Sequence, residues 1–186
     1  MSRVNLSIGF KAAYRKMSQL VDGLAAGENG QDTRRTRIVV KCFQEFSAKW
    51  LPLVSDPKLP PDIHQAQARI ESLRLKLERI YLAQLHAVIE HRKVWFMAFT
   101  IFKNIETLPV FPQKIHALEN EAAKTEMIYR RALVSLSFDW PGRVDPDLTS
   151  RLETLDFASA LRWQEELMAQ SAMLENELAM VAAITA

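Results

Sequence analysis

The chain is short of the residues that most often carry chemistry: one cysteine, five glycines and four histidines in 186 residues. Cys42 alone cannot close an intramolecular disulfide, so nothing here asks for an oxidising compartment. Five glycines leave few places for a phosphate-cradling loop. No Gly-x-Ser-x-Gly elbow, P-loop or dinucleotide fingerprint occurs. Long apolar runs are missing too. The most apolar segment, Val94–Phe102, holds nine residues between Arg92-Lys93 and Lys103, and a bilayer span needs about 20. The first residues lack the apolar core of a signal peptide. The expectation is a soluble, cytoplasmic protein.

Metal ligands are equally sparse. A carboxylate-bridged iron site in a helical protein needs Glu-x-x-His on two helices, and none occurs; His116-x-x-Glu119 has the reverse order. His86 and His91 are five apart and point to different sides of a helix, whereas His86 and Glu90 read as a surface hydrogen-bonded pair. Cys42 beside Lys41 falls mid-helix, away from the helix N-terminus that would activate a thiol, and reads as a small hydrophobe. Glu165–Glu166 reads as a solvated helix face. No catalytic residue, metal or cofactor is expected, and the chain is not expected to be an enzyme.

What is abundant is hydrophobic residue at the helical period. Leu6, Phe10, Ala13, Met17, Leu20 and Leu24 make one stripe of a helix over roughly 3–26. Gly27-Glu-Asn-Gly30 punctuates it, and Asp32 or Thr33 caps a second helix striped by Val39, Phe43, Phe46 and Trp50. Pro52, Pro57, Pro60 and Pro61 predict a helix-free connector over 51–61. From Ile63 through Leu77, Gln84, His91 and Ala98 to Leu108, a 3-4 alternation runs for six heptads without Gly or Pro. A second apolar face (Leu75, Leu82, Leu85, Ile89, Phe96, Phe99) thickens toward its end, as for a helix surrounded by neighbours. Val94–Phe102 would also suit a strand, but no turn residue separates it from the heptads. A fourth helix spans about 112–138, Asp139–Arg143 is a turn, and Asp145-Pro146 opens a last helix to about 183.

The fold expected is therefore all-α: a single domain over 1–186, an elongated antiparallel helical bundle of about five helices around one very long central helix. Within it, 1–50 forms a basic helical hairpin, 51–61 a Pro-rich connector and 62–186 the long-helix part. A globule of this size would measure about 40 Å across. The central helix alone would be about 70 Å long. Overhanging amphipathic helices must bury their stripes against something else.

Charge is distributed unevenly along the chain. Residues 1–50 carry nine Lys/Arg against four acids, residues 109–186 seven against twelve, and no Lys or Arg follows Arg162. On the second helix Arg34, Arg37 and Lys41 fall on one side, opposite the aromatic stripe, with Arg35 and Lys49 flanking. Glu45 interrupts them. Lys11, Arg15 and Lys16 add to this face if the first helix lies alongside. These side chains are candidates for contacting phosphates or an acidic protein surface; a Trp/Phe face opposite a basic one also suits an anionic lipid surface, although core packing accounts for it. Gln84 and His91 are candidate register-setting seam positions. The sequence thus points to a non-enzymatic adaptor or structural subunit of a multiprotein assembly, joined to other subunits or to itself through long amphipathic helices. The alternative is a small helical subunit binding a nucleic-acid backbone without sequence preference.

Overall fold

The computed structural model describes residues 3–25, 33–55, 64–105, 112–143 and 146–185. These residues form six helices: α1 (Arg3–Ala25), α2 (Thr33–Val54), α3 (His64–Ile105), α4 (Pro112–Leu136), α5 (Leu148–Glu153) and α6 (Phe157–Thr185). No strand occurs among them, only an isolated bridge between Trp140 and Arg143. The chain is all-helical. Val94–Met97 is helical with the rest of α3, because a heptad pattern without punctuation leaves a strand nowhere to start.

The stripe read for α2 is its buried face, and that of α1 is buried in part: Phe10 and Met17 are buried, Leu6, Ala13, Leu20 and Leu24 are half-buried, and Val21, outside the expected stripe, is fully buried. These side chains meet Val39, Phe43, Phe46 and Trp50 of α2 in one hydrophobic core. The two helices run antiparallel. The Phe10 ring lies 5.5 Å from that of Trp50 and 6.1 Å from that of Phe46, while Gly23, near the other end of α1, lies against Arg35. α2 does not stop at Pro52 as expected. It continues to Val54, with Pro52 inside its last turn. A proline there forfeits one helical hydrogen bond. The turn is still closed by the Ser55 amide donating to the Leu51 carbonyl at 3.0 Å, and Val54 is buried. Residues 56–61, the 27–30 turn, Asp32, Pro109 and Asp145 lie outside the described residues.

α3 is the element the others share, packing against α1, α2, α4 and α6. Its 42 residues make about 63 Å of helix. α1 runs beside its first half in the same direction: Tyr14 lies under the Arg69 guanidinium and Asp22 pairs with Lys76 at 2.8 Å. α4 runs opposite to α3, with Tyr129 level with Arg92 and Trp140, just past its end, against Tyr81. α6 also runs opposite to α3, since Lys93 meets Gln164 and Arg79 meets Glu175. Residues 137–143 and 146–156 therefore lie along α3 between the end of α4 and the start of α6.

That placement corrects the expected last helix. The helix does not open at Asp145-Pro146 and run unbroken to 183. Pro146 and Asp147 form a turn, α5 makes a short helix, and Thr154–Asp156 interrupt it before α6. Thr154 ends α5 by donating from both its amide (3.0 Å) and its hydroxyl (2.9 Å) to the Ser150 carbonyl. Asp156 starts α6: its carboxylate accepts from the Ser159 amide at 2.6 Å and its carbonyl from the Ala160 amide at 2.9 Å. That is an N-cap, and the Ser159 amide holds the Asp156 carboxyl below the usual carboxylate range. The described residues therefore form six helices rather than about five.

The long seam also divides. Ala66, Ile70, Leu73, Leu77 and Gln84 are buried, but Ala87 is exposed, His91 half-buried and Val94 exposed. Over the same stretch the second face is buried instead, at Leu82, Leu85, Val88 and Ile89. The burial follows the neighbours. α1 covers the first face only along the first half of α3, and beyond it α4 and α6 cover the other side. The C-terminal half is thus not enclosed on all sides: Val94 and Met97 are exposed.

Candidate functional site

Burying Val39, Phe43 and Trp50 turns the opposite side of α2 outward, and every predicted cation on it is exposed: Arg34, Arg35, Arg37, Lys41 and Lys49. Seven residues of helix separate Arg34 from Lys41, about 10 Å. Arg34 and Lys41 form no ion pair among the described residues. Arg37 is stacked over the Phe138 ring at 5.6 Å, and Gln44 nearby donates to the Asp139 carbonyl at 3.3 Å. Lys49 lies over the Trp50 ring at 5.3 Å. Ile38 is exposed among these charges, at 53%.

The first helix does not extend this face with all three of its cations. Lys11 lines a small cavity between α1 and α3 with Gln65, Ala66 and Arg69. Arg15, one turn further on, shares that side of α1. α2 instead meets α1 near Gly9 and Gly23. The structure thus brings Arg34, Arg37 and Lys41 together and leaves Lys11 and Arg15 on a separate flank. Of the two polar seam residues, Gln84 is buried in the core of α3 and His91 sits half-buried where that seam opens.

A second exposed face lies on α6. Its inner side is the expected seam, with Leu167 and Leu174 buried and Ser171, Leu178 and Val181 half-buried. Outside that seam, Met173 (65%), Met180 (69%) and Ile184 (60%) are exposed on one side with Glu166 and Glu177, while Met168 (66%) is exposed on the other flank, with Glu165 between. Sequence reasoning missed these methionines. The signal was present: they are apolar residues at positions the seam does not use.

Between α3, the 140–143 turn, α5 and α6 lies a cavity of about 410 Å3, lined by Glu78, Arg143, Arg151, Trp163, Glu166 and Gln170 among others. Arg151 stacks 4.1 Å above the Trp163 ring. Glu78 is held between Arg74 at 2.8 Å and Arg143 at 2.9 Å. Glu71 hydrogen-bonds Arg74 and raises its pKa, against the pull of burial. This ladder fixes the turn on α3. The lining carries both signs of charge and sets no preference for an anion or a cation.

Two further polar arrangements join distant segments. The Lys93 ammonium donates to Gln164 at 2.7 Å and to Glu90 at 3.2 Å, and the Gln164 amide donates to Glu90. Gln164 and Lys93 hold the Glu90 carboxyl below the usual carboxylate range, against some burial. The Arg92 guanidinium sits among three rings, at 4.6 Å from Trp95 and 5.2 Å from both Phe96 and Tyr129. Tyr129 donates to the Leu152 carbonyl at 3.2 Å, and burial pushes its phenol up. Both arrangements hold α3 to α4, α5 and α6.

Among the described residues no group of three or more His, Cys, Asp or Glu side chains is placed to hold a metal ion. His116 hydrogen-bonds Glu119 at 3.1 Å on the exposed side of α4, and Glu90 accepts hydrogen bonds from Gln164 and Lys93 while His86 acts on it through charge. Cys42 is half-buried and packs against the core. No described helix is long and apolar enough to cross a membrane. Compared with protein-family models, curated proteins and solved structures, the chain matches none.

Proposed function

We propose that this chain is a non-enzymatic helical adaptor or structural subunit: an elongated antiparallel bundle, working in the cytoplasm, that offers helix faces to other protein subunits. The observation that carries the reading is the outer face of α6, where Met173, Met180 and Ile184, each at least 60% exposed, share one side of the helix with Glu166 and Glu177. Isolated exposed apolar side chains are ordinary, but a set along one helix marks an interaction surface. Methionine suits that use because its flexible, polarisable side chain fits irregular partner surfaces. The long heptads of α3 and the single cysteine support the structural and compartment parts of the reading.

The test is affinity purification from the protein's own cells, comparing wild type with Met173→Ser/Met180→Ser/Ile184→Ser. All three positions are exposed, so circular dichroism should not change. A partner held by wild type and lost by the variant supports the reading; identical recoveries from both would sink it. A second reading, backbone contact with nucleic acid, is favoured by Arg34 and Lys41 being exposed and outside any ion pair among the described residues. It predicts salt-sensitive binding of a generic oligonucleotide, lost in Arg34→Glu/Arg37→Glu/Lys41→Glu. Absence of binding at low salt removes it.

A further inference from the structure

The outer faces of α2 and α6 are complementary in two respects at once. α6 carries Glu165, Glu166 and Glu177 against Arg162, its fourth glutamate, Glu175, being paired with Arg79 of α3, and α2 carries five cations against Glu45. Each also exposes large apolar side chains: Met173 and Met180 on α6, Ile38 (53%) and Leu51 (43%) on α2. The stretches match in length. Arg34–Leu53 and Glu165–Ile184 each extend about 28 Å along their helices. A parallel alignment of these stretches sets Arg34 and Arg35 level with Glu165 and Glu166, Lys49 about 5 Å along the axis from Glu177, and Leu51 close to Ile184.

Resting on the adaptor reading and naming its partner, we propose that a second copy of this chain lays the basic face of its α2 on the acidic, methionine-bearing face of α6. The charges choose this pairing over the symmetric ones. Joining α6 to α6 would bring Glu165 and Glu177 against their own kind, and joining α2 to α2 would do the same with Arg34 and Lys41; like charges across an interface cost several kcal/mol. None of these four side chains forms an ion pair within its own chain among the described residues, so the contact breaks no existing pair of theirs. Because the two faces are different surfaces, the contact is head to tail. Every copy keeps one open face of each kind, which gives rings where the rotation closes and filaments where it does not.

The experiment is light scattering of the purified chain after size exclusion, over a range of concentration and salt. Wild type should rise from 21.3 kDa to at least twice that mass with concentration at low salt, and return to monomer as salt screens the charges. Glu165→Lys/Glu177→Lys alone and Arg34→Glu/Lys41→Glu alone should each remain monomeric. Their equimolar mixture should associate again, since the unaltered α2 face of one variant meets the unaltered α6 face of the other and the two reversed faces complement each other. Wild type staying monomeric throughout overturns the proposal, as does association that grows with salt. An α2 variant that still associates alone, or a mixture that does not, overturns it equally. A monomeric wild type that still loses a partner through the α6 serine substitutions removes self-docking and leaves the adaptor reading in place.

Discussion

Gly142 adopts φ +82° at the corner of the 140–143 turn, and a Cβ there would run into the Arg74 guanidinium that holds Glu78. Gly142→Ala is therefore expected to lower stability by about 1–3 kcal/mol through backbone strain, read as a lower urea midpoint; an unchanged midpoint would contradict this turn. Glu90 supplies a pH test. Its carboxyl is held low by the Gln164 amide and Lys93, against burial. A depressed folded-state pKa adds stability that is complete above the unfolded value near 4.3 and is lost as pH falls through the folded one. The gap in melting temperature between wild type and Glu90→Gln should thus be widest near neutral pH and close below about pH 4. A gap constant across that range refutes the assignment. The turn was legible from Pro-Gly in the sequence. The Glu90–Gln164 contact was not, because its partners lie 74 residues apart and no local pattern joins them.

At the scale of elements, periodicity fixed which segments are helical and local chemistry fixed where they end. Pro52 did not end α2, because the buried Val54 anchors the turn beyond it. Thr154 and Asp156 split the last helix, which the periodicity by itself carries unbroken to about 183. α5 has only six residues, but Leu148 and Leu152 are buried and Tyr129 bonds the Leu152 carbonyl. So short a helix has little stability of its own, so its packing must hold it. Leu152→Ala should cost about 2–5 kcal/mol, as for any fully buried leucine, measured by denaturant unfolding. A cost near zero would mean that α5 detaches from the core.

For the whole molecule, α3 is longer than the diameter of a sphere of the same mass. A globular chain of this length would have a radius of gyration of roughly 16 Å. Small-angle scattering of the monomer is expected to give a clearly larger value, and a value at 16 Å would show that α3 folds back on itself. The near-neutral total charge conceals a separation that matters for association: cations on the outside of α2, carboxylates on the outside of α6. The basic face of α2 was legible because its aromatic stripe determined which side must turn inward. The methionine face of α6 was not, because which of two apolar sets turns inward depends on which neighbour arrives.

By itself the sequence determined the helical class, most helix boundaries, the inward stripes of α1 and α2 and the polarity of charge along the chain. All of these follow from spacing and composition, which act over a few turns. Only the tertiary structure decided that the α3 seam is buried as far as Gln84 and open from Ala87. It likewise decided that residues 146–156 lie back along α3 before α6, and that Arg92 sits among Trp95, Phe96 and Tyr129. The physical reason is common to all three. Burial belongs to pairs of surfaces, and a sequence specifies each apolar face without stating where α1 ends along α3 or which helices cover the remainder.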